Sequence, residues 1–452
     1  MEDKKLKIGI FIDTFYPMVD GVINVVNNHA SRFNKFADVT VFAPCGRQSF
    51  DDSTLPYKVV RCTKKLKLNF LDYDLPLPKM DKKFVKEINE SDFDIIHIHS
   101  PFSIGKLGVE TAKKKKIPVV ATLHSQFKRD FYSETKSELI ANIMIKNIIS
   151  VFNKCNECFA VNKQVGKVFK SEYGLRKNPK VQNNGTDLAY YDNDIEVENL
   201  RKQYNIKDDE KVFLFVGRIN RVKNIFFTLD VLKDLKDKNF KYKMFFVGTG
   251  PDEKDFAKKI KEFNLENEVI LTGKITDRNL IIKHFRLADL FVFPSVYDCS
   301  SLVQIEAASQ KTPTIFIRNS VTSGTATENV DCFCEEEDVV KFSNKIIEIF
   351  NNEELYNKVK EGCFNNLYVT WDEVSKKVYN DYLTVIENYK NGKYSKATQK
   401  QQKTHKKEML EVVKEKNKAI LKDKKDNKKK EKNLLKNKDK DAKKIKNKKK
   451  KK

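Results

Sequence analysis

The chain has 452 residues, 40% hydrophobic and 33% charged, with a net charge of +24. This composition excludes a collagenous chain, a disulfide scaffold and a wholly disordered polypeptide. Residues 391–452 hold 27 Lys, no Arg and 8 Asp or Glu, a net of +19, while the other 390 residues carry only +5; a nucleic-acid role argued from total charge would concern the tail alone.

The body is longer than one hydrophobic core usually supports, so two domains are expected. The start, MEDKKLKIGIFID, lacks the long apolar core and small-residue cleavage site of a signal peptide. No segment offers about 18 uncharged apolar residues for a membrane span. The 8 Cys are scattered, as reduced thiols in a cytoplasm would be. Cys155-x-x-Cys158 and Cys332-x-Cys334 lack a second pair at zinc-site spacing. No metal or cofactor is expected.

In chain order, short apolar runs at residues 6–13, 38–44, 57–62, 93–100, 118–124 and 157–162 read as strands, with helical periodicity between several of them, notably 22–36 and 133–153. The pattern resumes with strands at 211–219, 242–250, 267–275, 289–295 and 312–319. Runs such as KVFLFVG and DLFVFPS are apolar on both faces, as parallel strands covered by helices on both sides are. Strand and helix in alternation imply right-handed crossovers and doubly wound α/β sheets, and about a dozen strands suit two sheets better than one. The boundary is expected between Asp187 and Lys211, after the turn chemistry of NNGTD. Residues 371–390 place Val374, Val378, Tyr382, Val385 and Tyr389 on one helical stripe, which must pack on something. The Lys-rich residues beyond 390 are too poor in apolar side chains to build a core and are expected to be disordered.

Doubly wound sheets bind ligands at the carboxyl ends of their strands. After the first strand comes Asp20-Gly21-Val22, where Gly21 would let backbone approach an anionic ligand at a helix start; a lone glycine is otherwise only a turn. There is no G-x-G-x-x-G to support a nicotinamide cofactor. His97, His99 and His124 sit at strand ends. The ordinary reading of such a histidine is a hydrogen-bonded packing residue, and His99 is read so. His124 opens a polar loop with Ser125 and Gln126 and is a functional candidate. Arg218 and Lys223 lie five residues apart in a loop entering a helix, a placement suited to a diphosphate or to a solvated surface pair. Asp298 lies in a loop and Glu306 eight residues later among Leu302, Val303, Ile305 and Ala307; a carboxylate in so apolar a segment generally has a specific partner. Such carboxylates could hydrogen-bond the vicinal hydroxyls of a sugar and a ribose. Ser300 and Ser301 could cap the helix, whose N–H groups would face a phosphate.

Together DGV at 20–22, TLH at 122–124, NGTD at 184–187, GRINRVKN at 217–224 and the Asp298…Glu306 spacing resemble the retaining family-4 glycosyltransferases, the glycosyltransferase group 1 sequences of GT-B type. The resemblance covers roughly residues 6–390. It implies two Rossmann-like domains facing a cleft: residues 1–190 for the acceptor, 191–370 for a nucleotide-sugar, a crossover helix at 371–390 returning to the first domain, and the tail at 391–452. It further implies that Arg218 and Lys223 neutralise the donor diphosphate, that Glu306 holds the ribose and Asp298 touches the transferred sugar, and that Gly21 and His124 close the site. Lys274, in the turn after Gly273, falls where the nucleotide base is received, and Ser300, Ser301 and Leu302 complete the donor contacts. The nucleotide-sugar is a co-substrate, a UDP-sugar in preference to a GDP-sugar. The family commonly has Glu-Gly-Phe-Gly where this chain has Asp298-Cys299-Ser300-Ser301, which puts donor-sugar identity in question.

For the acceptor, Lys64–Leu71, Lys113–Lys116 and Lys128-Arg129 beside Phe127 and Phe131 mix basic with apolar residues, as a surface on anionic lipid does. A lipid acceptor, diacylglycerol or a polyprenyl-linked glycan, is therefore expected, with a cytoplasmic location peripheral to the inner face of the membrane. A soluble sugar or polysaccharide acceptor is the alternative. The rival from another class is a non-enzymatic adaptor using the Lys tail, and the enzymatic rivals are an epimerase and a phosphorylase. Lysines without arginine and with Tyr394 as the one aromatic promise only nonspecific phosphate attraction, so no specific nucleic acid is expected as a partner.

Overall fold

The computed structural model describes residues 5–67 and 74–394. The Lys-rich tail beyond them and residues 68–71 of the first basic-apolar run lie outside the described residues.

The first sheet contains β1 (Lys7–Phe11), β2 (Asp38–Pro44) and β3 (Lys58–Cys62). After a two-stranded hairpin of β4 (Lys65–Leu66) and β5 (Leu75–Pro76), it continues with β6 (Ile95–Ile98), β7 (Val119–Leu123), β8 (Glu157–Ala160) and β9 (Lys180–Val181). Its order is β3-β2-β1-β6-β7-β8-β9, all parallel. The second sheet contains β10 (Lys211–Val216), β11 (Tyr242–Val247), β12 (Val269–Gly273), β13 (Leu290–Val292), β14 (Thr314–Ile317) and β15 (Phe333–Glu335), in the parallel order β12-β11-β10-β13-β14-β15. In each sheet the winding reverses beside the first strand, between β1 and β6 and between β10 and β13. That reversal opens the crevice where doubly wound sheets bind ligands.

Every strand expected from the sequence is present. The additional ones, β4, β5, β9 and β15, are two or three residues long, too short for periodicity to register. Helix bounds moved more. The stretch 133–153 is two helices, Phe127–Thr135 and Glu138–Phe152, because Lys136 adopts a left-handed φ of 50° and Ser137 caps the second helix. The polar segment after Asn193 is the helix Asp194–Gln203, capped by the Asn193 side chain.

Central strands are apolar on both faces because helices cover both: β6 and β7 are buried at every residue. The second core is built from phenylalanines, with Phe215–Phe293 and Phe291–Phe293 rings stacked at 5.8 and 5.4 Å; full burial of each contributes about 1.5–3 kcal/mol. The helix Trp371–Lys390 packs on the first domain: Tyr382 lies 5.5 Å from Phe33, Tyr379 4.8 Å from Phe36 and Trp371 5.5 Å from His29. The two connections between the domains run against each other, Thr186 N–H donating to Val369 O at 3.0 Å. Gly185 is required there, since a Cβ would stand 2.8 Å from Trp371 N.

Candidate active site between the two sheets

The carboxyl ends of both sheets meet at a cavity of about 250 Å³, lined by the segments that follow β1, β7, β8, β9 and β13. Gly21 and His124 from the first domain and Asp298 and Ser300 from the second lie on its wall. The helix Gly21–Phe33 starts here because Asp20 accepts a hydrogen bond from Ile23 N–H at 2.8 Å. A Cβ on Gly21 would meet nothing within 4 Å, so the helix start faces open space. Burial raises the Asp20 pKa, opposed by the N–H groups of Ile23 and Val22 and by the Arg218 cation, which stands near it from the second domain. Arg218 is exposed and enters no ion pair among the described residues.

The loops after β10 and β11 close tightly on one another. Gly248 has φ of 140°, and a Cβ there would lie 1.9 Å from Gly217 O, so only glycine fits this turn. Lys223, at the end of the first of these loops, pairs through Nζ with the Asp298 carboxylate, while Ser295 Oγ donates to Asp298 Oδ2 at 2.6 Å. The family resemblance assigns Lys223 and Asp298 to different parts of a donor; the structure joins them in one ion pair. Neither serine caps the following helix, contrary to the expectation. Ser301 occupies the cap position of Leu302–Ser309 without a side-chain bond, and Ser300 Oγ instead accepts from Asn184 Nδ2 at 3.2 Å. Leu302, partly buried, begins that helix. Glu306, one turn on, is 17% exposed, and its nearest cation is Arg278 at 3.5 Å. Burial pushes the Glu306 pKa up, with Arg278 opposing. Lys274 is exposed beyond Gly273, and no side-chain contact among the described residues ties it to the cavity.

His124 belongs to a buried histidine group. Its Nε2 lies 3.0 Å from His99 Nδ1, and His97 bridges Tyr382 OH at 2.5 Å and Thr122 Oγ1 at 2.8 Å. Burial pushes His124 and His29 down to about 3 and holds His97 and His99 well below the ordinary histidine value. His124 is therefore neutral at physiological pH and acts as a dipole or hydrogen-bonding group, not as a cation. Sequence reasoning did not single out Asn162 and Tyr297, gave Asn184 only as the first residue of the NGTD motif, and gave Gln126 only as part of the polar loop that His124 opens. All four reach across between the domains, and a lone amide or phenol in sequence carries no signal of the opposite sheet.

Two parallel α/β domains facing each other across a cleft form the GT-B architecture. The family models agree: residues 19–190 match "Glycosyltransferase Family 4" and residues 196–364 match "Glycosyl transferases group 1". The chain belongs to these glycosyltransferases and is thus an enzyme that transfers a sugar. It is similar to alpha-monoglucosyldiacylglycerol synthases from Streptococcus pneumoniae (26% identical, covering 69% of this chain and 70% of that protein) and Acholeplasma laidlawii (24%, 83% and 94%). It also resembles N-acetyl-alpha-D-glucosaminyl L-malate synthase from Bacillus anthracis (22%, 86% and 100%). Among solved structures, Anabaena HepE in complex with UDP superposes with a TM-score of 0.67 at 15% identity, covering 84% of this chain and all of that one.

Proposed function

We propose that the chain transfers a hexose from a UDP-sugar to a hydroxyl of a membrane-lipid acceptor, with retention, while lying on an anionic membrane surface. The observation that carries this reading is an apolar flank on the first domain. The helix Glu138–Phe152 is apolar on both faces although only one packs, leaving Leu139 72%, Ile140 46% and Ile143 50% exposed. Tyr132 on the preceding helix and Leu66 in the hairpin of β4 and β5 are also exposed. Lys136, two residues before the helix Glu138–Phe152, and Lys146, one turn beyond Ile143 on it, are exposed, as basic residues accompany an apolar face that enters anionic lipid. Lys113–Lys116 do not belong to this flank. They end the helix Ser103–Lys115 at the amino ends of the central strands, where Lys115 bonds Asn89 O and Ser91 O ahead of β6. The names of the two diacylglycerol-linked relatives support a lipid acceptor.

The donor would lie along the second domain, its diphosphate on Arg218 and Lys223 and its ribose on Glu306. Lys274 would stand near the base, and Asp298, Ser300, Ser301 and Leu302 around the sugar. A second cavity of about 300 Å³ in the first domain, walled by Phe15, Pro17, Met18 and Pro44 with Arg47 and Asp74 on its polar side, would take the acceptor head. The bond from the sugar's anomeric carbon to the phosphate oxygen breaks, and the diphosphate leaves with the electron pair. The acceptor oxygen bonds the same face of that carbon, and its proton passes to a phosphate oxygen. Arg218, Lys223 and the helix start at Leu302 stabilise the charge that develops, and neutral His124 orients the reacting groups. Turnover is expected to survive EDTA.

The test is transfer of radiolabelled sugar from UDP-glucose and other UDP- and GDP-sugars into vesicles containing diacylglycerol and anionic lipid, with the product's anomeric configuration read by NMR. Arg218→Ala is expected to lower kcat/KM about a hundredfold or more, and Glu306→Ala to raise donor KM. Near-wild-type turnover of every donor in both variants would sink the assignment. Transfer to soluble acceptors without lipid dependence would replace the lipid with a soluble acceptor.

A further inference from the structure

The loop at residues 296–300 of the second domain is held mostly by the first. Gln126 Nε2 donates to Tyr297 O at 2.7 Å and to Val296 O at 3.3 Å. Tyr297 OH donates to Asp130 Oδ1 at 2.5 Å, and Arg129 lies 5.6 Å from the Tyr297 ring centre. Asn184 reaches Ser300. Asn162, fully buried, donates through Nδ2 to Cys299 O and to Val321 O, the latter at 2.9 Å. Its Oδ1 accepts from Val165 N–H at 2.7 Å, capping the helix Lys163–Ser171. That bond fixes the amide orientation, so both N–H groups must point at the second domain. The Cys299 side chain is buried within the first-domain core. Asp298 is the exception: its side chain is held by Lys223 and Ser295 of its own domain.

We propose that Asn162, Gln126 and the buried Cys299 side chain form a latch through which the first domain sets the conformation of the loop presenting Asp298 and Ser300, making Asn162 and Gln126 positioning residues for sugar transfer. This rests on the reading that Asp298 and Ser300 face the transferred sugar. The nucleotide contacts assigned to Arg218 and Glu306 belong wholly to the second domain and need no latch. The sugar end of the site is completed only when the domains are together, because separating them would strip the loop of its carbonyl partners and expose the Cys299 side chain. The departure from the family motif at Cys299 acquires a physical meaning. Where the resembled family carries glycine, this chain carries the side chain that enters the other domain.

Asn162→Asp separates the latch from simple folding, since a carboxylate keeps the helix cap but sets an acceptor against two carbonyl oxygens. Cys299→Gly removes the buried side chain. Calorimetric UDP affinity is expected to stay at the wild-type level in both variants, while kcat with UDP-glucose and lipid vesicles falls about a hundredfold, as small misplacements of reacting groups do. Tyr297→Phe, which deletes one hydroxyl, provides a variant that folds; its kcat is expected to fall about tenfold, the scale of one lost hydrogen bond to a charged group, with its unfolding still cooperative and its UDP affinity at the wild-type level. Variants with wild-type kcat, or UDP affinity falling in proportion to kcat, would overturn the latch while leaving the donor reading in place. A wild-type chain that binds no UDP overturns the donor reading and the latch with it.

Discussion

Glu306 shows how one carboxylate acquires a testable charge behaviour. Its pKa is raised, chiefly by burial, with Arg278 opposing. Ribose hydroxyls donate to the ionised form, so UDP binding favours the deprotonated state. UDP affinity should therefore rise with pH through that raised pKa and then level off. Calorimetry over a pH series checks this, and Glu306→Gln should flatten the profile. The position of Glu306 was legible because a charged residue in an otherwise apolar helix demands a partner. Its burial, and the modest help from Arg278, were not. The pairing of Lys223 with Asp298 was hidden for the same reason: the two residues are 75 positions apart, and only the folding of both loops onto adjacent strand ends joins them.

At the scale of elements, the last helix was the most legible. Its stripe and its bounds agree with the structure to the residue, because a twenty-residue periodic pattern leaves little freedom. What it covers was not legible. Tyr382 closes over β6 and the helix Gly21–Phe33, bonding His97, and Ser375 Oγ lies 3.0 Å from His29 Nδ1. Tyr382→Ala should destabilise the protein by about 3–5 kcal/mol, the range for large aromatic truncations in a core, read as a lower denaturant midpoint. Burial of histidines, His29 under this helix and His124 beside His99, makes the protein acid-sensitive. His29 and His124 titrate near 3 when folded against an ordinary 6.5, so the unfolded chain binds more protons as pH falls through 6.5. Stability is lost over that window, about 1.4 kcal/mol for each of these two at pH 5.5. A thermal midpoint that stays flat between pH 7.5 and 5.5 would contradict this. Short strands and helix breaks escaped sequence reading because two residues, or one left-handed lysine at 136, carry no period.

At the scale of the molecule, charge separates into two roles. The body, net +5, places a few cations at strand ends and around an apolar flank, and the residues after 390, net +19, offer undirected attraction to anionic surfaces. Deleting residues 391–452 should leave transfer to a soluble acceptor unchanged and weaken the salt-sensitive part of vesicle binding; loss of UDP affinity would show that the division is wrong. Replacing Leu139 and Ile143 with Ser should instead reduce the salt-resistant part, measured by sedimentation at 0.5 M salt, where electrostatic attraction is largely screened.

The sequence by itself determined the repeated strand–helix order, the two sheets, the last helix and the strand-end motifs, because each depends on local periodicity or on a short run of residues. The tertiary structure alone decided which strand ends face one another: that Asn162 and Gln126 hold a loop more than 130 residues away, that Ser300 bonds Asn184 instead of capping its helix, and that the basic run at 113–116 lies at the amino ends of the strands, away from the cleft. Such pairings depend on how two separately wound sheets meet, and no local pattern encodes that distance.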